Sequence, residues 1–239
     1  MTDYPEVEPV KDPVMFQTWS HLTFLHWRYA AKQLQPRLPP GLEIDTFDGS
    51  AWLGITPFLL EDLRAPGLPA FPWISRFPET NCRTYVRGPD GRPAIWFFSL
   101  DAARMPAVAG ARLLYGLPYA WSRMRVQIAG DGREYASARR WPGRLARTAV
   151  TVERGGPLAA GPLEIFLTAR FRLYSILRGR LMCAQVEHEP WPLEGARVVR
   201  LEETLTRAAG LPAPEGAPLA HFSPGVRTRI GAPGRAAAR

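Results

Sequence analysis

The residues whose types could do chemistry are a few carboxylates, arginines and tyrosines. In FPETNCRTYV (77–86), Glu79, Asn81, Arg83 and Tyr85 occupy every second position. Strand side chains alternate between faces, so these four share one face while Cys82, Thr84 and Val86 share the other. A strand face carrying four such groups is either wet or lines a site. Arg28, in HWRY, closes the first run of β-favouring residues. A guanidinium in a dry pocket suits bidentate capture of a carboxylate. A glutamate in partly apolar surroundings has its pKa raised and can shuttle protons near neutral pH. The competing reading makes Glu79 and Arg28 ordinary surface or ion-pair residues.

Other chemistries find no pattern. His21 and His26 are five apart, so on one continuous strand they face opposite sides and share no metal. His188 stands between Glu187 and Glu189, and His221 stands alone. Neither HExxH nor paired CxxC is present, so these histidines are read as structural or surface groups and no metal is expected. GxSxG and the glycine-rich phosphate loops are also missing, and no cofactor is expected. Cys82 and Cys183 are the only cysteines and are read as buried free thiols.

With 239 residues, 46% of them hydrophobic and 22% charged, the chain suits a single globular domain. It has no apolar run long enough to span a membrane. The opening MTDYPEVEPVKDP is acidic and proline-rich, unlike a signal peptide, and the expected compartment is the cytoplasm. The net charge is +8, and of the 30 lysines and arginines only Lys11 and Lys32 are lysine. A basic surface can attract nucleic acid, but these arginines are spread along the chain, so nucleic acid is not the expected partner. Amine chemistry is left with two candidates.

Turn signals and periodicity then give the elements. Residues 1–13 read as a loose tail, 15–27 as a strand and 30–34 as a short helix stopped by Pro36. Asp48-Gly49 predicts a hairpin between LEIDTF and AWLGIT, GPDGR a second, Gly130-Asp131-Gly132 a third and Arg178-Gly179 a fourth. The proline- and aromatic-rich segment 64–78 reads as a lid or binding loop. Residues 102–115 suit a helix, with Pro106 at an early-turn position. Residues 201–211 suit a helix stopped by Gly210, and 232–239 read as a frayed tail. The sum is a mainly β, α+β domain over 14–231, an antiparallel sheet system or barrel with a few short helices.

The series FLHWRY, LPPGLEIDTFDGSAWLGITPF, FPETNCRTYV, WFFSLDA, ARLLYGLPY and HEPWPL resembles the uncharacterised YqjF-like family of bacterial proteins, from about Trp19 to about Gly225. That family is similar, more distantly, to the acetoacetate decarboxylase-like superfamily. The resemblance implies an antiparallel β-barrel around a small-ligand cavity, and a homo-oligomer. It aligns Arg28, ahead of LPPGL, with the decarboxylase arginine, and Glu79 with its strand-opening glutamate. Gly116 and Pro118 match its Gly-x-Pro-Lys-Lys segment, but Tyr119 and Ala120 stand where the lysines should be. A Schiff base needs an amine, so the resemblance does not extend to that reaction.

The leading expectation is a barrel that binds a small anionic or carboxylate metabolite, gated by 64–78. Arg28, Arg83 and Tyr85 would hold the ligand, with Glu79 and Tyr119 beside it. The alternative is a lyase or hydrolase without covalent catalysis, with Glu79 as general acid/base and Tyr119 as hydrogen-bond donor. Nucleic-acid association ranks third.

Overall fold

The computed structural model describes residues 4–143 and 146–236. Runs of β-branched and aromatic residues build its strands: β1 (Pro13–Tyr29), β2 (Glu43–Ile44), β3 (Ala51–Arg64), β4 (Phe77–Arg87), β5 (Pro93–Ala102), β6 (Tyr119–Ala129) and β7 (Gly132–Trp141). They continue as β8 (Arg147–Pro157), β9 (Arg172–Leu177), β10 (Arg180–His188), β11 (Glu194–Glu203), β12 (Leu219–Gly231) and β13 (Gly234–Arg235). The helices are short: α1 (Ala31–Leu34), α2 (Met105–Tyr115), α3 (Pro162–Thr168) and α4 (Leu205–Ala208). None is long and apolar enough to cross a membrane.

All the strands join one sheet in the order β13-β10-β9-β5-β6-β7-β8-β11-β12-β1-β3-β4-β2, with further pairings β4–β5 and β10–β12. The β4–β5 ladder returns the path to β5, so the sheet wraps on itself. Strands β9 and β10 make a second bridge from β5 to β12. The mainly β architecture expected from sequence is present, but it is not wholly antiparallel. Strand β5 runs parallel to both β6 and β9. The cause for β6 is α2, whose crossover between β5 and β6 lets the chain re-enter in the same direction.

The Arg178-Gly179 turn forms as predicted, with φ of 52° and 73°, and joins β9 to β10. Asp48 and Gly49 also take positive φ, but only Phe47 and Ser50 bridge across them. The predicted LEIDTF–AWLGIT ladder does not form because both edges of β3 are taken, by β1 and β4, and β2 pairs with β4 instead. The helix expected over 201–211 shrinks to α4. Strand β11 keeps pairing with β8 through Glu203, whose carboxylate then accepts from the Thr206 amide and hydroxyl. Helix α3 carries no signal that the sequence reading used.

Neither tail is loose where it is described. Val10 is buried and donates its amide to Glu187, and Glu8 pairs with Arg92 and Arg172. Residues 234 and 235 pair with β10. Residues 1–3 and 237–239 lie outside the described chain. Strand β1 is not one continuous ladder, since His21 has φ 47° and the register with β3 shifts between Ser20 and Leu25. The face argument for His21 and His26 therefore fails at its premise, although no metal-binding cluster exists among the described residues. Cys82 is fully buried against Leu25, Leu53 and Ile55, on the far face of β4 from Glu79, while Cys183 is only partly buried.

Candidate functional site

Strand β4 lies between β3 and β5, so both its edges are hydrogen-bonded and its side chains must point inward or outward. Its inward stripe is Phe77, Glu79, Asn81 and Arg83, and all four line a cavity of about 250 Å³. Two apolar clusters form the walls. One holds Leu22, Phe58, Leu60 and Phe77, the other Phe97, Leu100, Tyr115, Leu117 and Ile230. Helix α2 supplies a further side through Ala107, Gly110, Ala111 and Leu114. Leu114 is 63% exposed while lining the cavity, which places the mouth beside it.

Glu79 is 2% exposed and accepts a 3.0 Å hydrogen bond from the Tyr119 hydroxyl. Burial drives its pKa from 4.5 up to about 8, the Tyr119 bond partly offsets that, and the Asp101 carboxylate adds to it. The carboxyl is thus protonated, or close to half-protonated, in the neutral range. Tyr119 is held well above the ordinary phenol value, first by burial and then by the Glu79 charge. This makes a proton donor–acceptor pair facing an apolar space. Asp101 sits behind the pair, fully buried, clamped by Arg139 at 2.6 and 2.8 Å and by Ser122 at 2.7 Å.

Tyr119 is placed by the turn that ends α2. Gly116 closes the helix at φ 66°, and Arg112 from the last turn donates to the Tyr119 carbonyl at 2.6 Å. A Cβ on Gly116 would lie 2.2 Å from the Ile176 carbonyl oxygen. Gly116→Ala combines that clash with a strained φ and should destabilise the fold by about 2–4 kcal/mol. Urea unfolding checks this, and a cost within experimental error would show that the turn can relax.

Arg83 is 6% exposed, and its Nε has no hydrogen-bond partner. Its guanidinium lies over Phe24 at 5.4 Å and Tyr85 at 5.9 Å. The other two buried arginines have oxygen partners at their terminal nitrogens, although the Arg133 Nε is also unpartnered. Arg170 pairs with Asp45 at 2.7 Å, and Arg133 donates to two carbonyls at 2.8 Å. Arg83 alone of the three has no carboxylate or carbonyl partner among the described residues. The Asn81 Oδ1 beside it is likewise buried without a donor. His188 also lines the cavity, ringed by Phe171, Trp19 and Trp191. Burial lowers its pKa. Its Nδ1 lies 2.7 Å from the Glu189 carbonyl. That bond needs the proton on Nδ1, so the neutral ring keeps an acceptor lone pair on Nε2.

Of the five residues singled out from sequence, the structure brings Glu79, Arg83 and Tyr119 together. Arg28 and Tyr85 do not line the cavity. Arg28 is exposed, bonded to Ser50 and stacked on Trp52 at 4.8 Å. It shares a face with Leu22, Phe24 and His26, but it lies six residues past Leu22, the last β1 residue lining the cavity, at the strand end opposite Trp52. Tyr85 is fully buried one step beyond Arg83, with its hydroxyl 2.6 Å from His26 Nε2 and its ring against Phe166. Of the 64–78 segment only Phe77, the first residue of β4, lines the cavity, as does Leu63 just before the segment, whereas Phe71 and Trp73 are exposed. Trp73 stacks on Arg104, ahead of α2. Lys11 and Lys32 are exposed, and neither lines the cavity. His188, missed from sequence, reaches the site through β10, which no local pattern near Glu79 announces.

Residues 16–227 match DUF2071, a family of uncharacterized conserved proteins. The chain belongs to this family. It is 39% identical over 212 residues to "Uncharacterized protein YqjF" of Bacillus subtilis (strain 168), covering 88% of this chain and 87% of that one. Solved structures share its fold at low identity. The enduracididine biosynthesis enzyme MppR, complexed with the condensation product of pyruvate and imidazole 4-carboxaldehyde, has a TM-score of 0.68 at 15% identity, covering 95% of this chain and 91% of that one. Acetoacetate decarboxylase from Legionella pneumophila has a TM-score of 0.65 at 14% identity, with coverage of 96% and 92%. An acetoacetate decarboxylase-like enzyme from Sphingomonas wittichii RW1 has a TM-score of 0.62 at 16% identity, with coverage of 94% and 93%. The fold of this DUF2071 protein is therefore acetoacetate decarboxylase-like.

Proposed function

We propose that this protein binds a small carboxylate in the β4 cavity, with Arg83 as the anion-holding group. The observation that carries the reading is the buried guanidinium of Arg83, whose Nε is unpartnered and which has no carboxylate or carbonyl partner among the described residues. A buried charge is tolerated where something compensates it, and in a cavity that something is a ligand of opposite sign. Arg83 thereby takes the role that the sequence gave to Arg28. MppR has been solved with pyruvate, which makes short oxo acids sensible first probes. Thermal-shift titration should show pyruvate and 3-oxobutanoate stabilising the protein while their amides do not. Equal shifts from acids and amides, or none from either, would overturn the reading.

A second reading rests on Glu79 and Tyr119. A carboxyl group with pKa about 8, 3.0 Å from a phenol, is suited to moving a proton to or from a bound acid. This makes the site a candidate lyase or hydrolase without covalent catalysis. Neither Lys11 nor Lys32 lines the cavity, so the proposal does not include a Schiff base formed by a lysine of this chain.

A further inference from the structure

We infer that the ligand of this cavity is a medium-chain monocarboxylate, its head at Arg83 and an unbranched apolar tail lying along the α2 wall. The inference rests on the anion reading above and extends it to substrate class. The polar lining comes from the β4 stripe with Tyr119 and His188 beside it, and from Gln17, Thr168, Arg170 and Arg172, of which Arg170 is paired with Asp45 and Arg172 with Glu8. The α2 side and the two apolar clusters are hydrocarbon. A short oxo acid would satisfy the stripe but leave most of the apolar wall uncovered. The α2 wall is also built to leave room. Ala107, Gly110 and Ala111 share one helix face by their spacing. A Cβ added at Gly110 would meet nothing within 4 Å. Gly110 has no positive φ. The backbone therefore does not need glycine there, and a mid-helix glycine weakens the helix. What its missing side chain provides is volume inside the cavity. That volume leads to Leu114 at the mouth, so a growing tail would emerge there rather than meet a closed end.

The test is calorimetric titration of butanoate, hexanoate, octanoate and decanoate into wild type, Gly110→Leu and Arg83→Met. Each buried methylene should tighten wild-type binding about fourfold until the tail reaches the mouth, after which the series flattens. Gly110→Leu should keep butanoate binding and weaken octanoate by roughly tenfold or more, since the new side chain occupies the tail's place. Arg83→Met should lose all four acids. If butanoate binds to wild type through Arg83 but the series is flat, the tail is wrong and the anion site stands. If no acid binds at any length, both fall. Octanoate binding unchanged in Gly110→Leu would overturn the α2 placement. Circular dichroism checks that the variant folds, and Ala107→Leu, which fills the same wall from the preceding turn, replaces it if it does not.

Discussion

Arg83→Met should make the ligand-free protein more stable while abolishing anion binding. Arg83 is 6% exposed with no carboxylate partner among the described residues, so the native state carries a charge that water solvates better in the unfolded chain. Methionine fills similar space without that penalty. Its two ring contacts, at 5.4 and 5.9 Å, offset only part of the loss. A net gain of about 1–3 kcal/mol corresponds to roughly 2–4 °C in Tm per kcal/mol for a chain of this size. Carboxylate affinity should fall by about 100-fold or more, as when one partner of a buried charge pair is removed. A single thermal-shift experiment with and without acid reads both effects. A lower Tm in the ligand-free variant would mean that Arg83 is structural, and retained binding would mean that the anion sits elsewhere. Few substitutions separate function from stability so cleanly, because a structural ion pair and an empty anion site predict opposite signs.

Glu79→Gln should remove a pH dependence from stability. In the unfolded chain this carboxyl ionises near 4.5, and in the fold near 8. Between those values the native state holds a proton that the unfolded state has released. Stability from this group is thus fully present below about pH 4.5 and is lost progressively as pH rises through about 8, where the fold also ionises. The loss across the window is on the order of a few kcal/mol. Glutamine is uncharged at every pH and can still meet Tyr119, so the variant should match wild type near pH 5 and exceed it near pH 8. Urea unfolding at several pH values measures the slope. Identical slopes in the two proteins would show that Glu79 is ionised in the fold throughout. If the site transfers a proton, the same variant should lose about 10²–10⁴-fold in rate on whatever substrate is found.

The sequence placed Glu79 and Arg83 on a common face by alternation alone, since β4 is flanked on both edges and keeps its period. It did not show where that stripe ends. Tyr85 belongs to the same alternation yet packs under Arg170 and Phe166, outside the cavity. Arg28 shows the opposite failure. Its position ahead of a proline turn says nothing of depth in the fold, and it lies six residues past Leu22, the last β1 residue lining the cavity. Tyr119 was found through the Gly-x-Pro spacing, but its bond to Glu79 spans 40 residues and depends on the α2 crossover.

What the sequence determined by itself was local: the β character, most tight turns, the α2 helix, the missing lysines and the polar stripe of β4. These follow from side-chain shape, backbone freedom and periodicity, which act within a few residues. Only the tertiary structure decided which polar groups face one cavity, that Arg83 rather than Arg28 is left without a partner, and that Glu79 is dry enough to hold its proton. Burial and charge compensation depend on distances between strands far apart in the chain, and no local pattern encodes those distances.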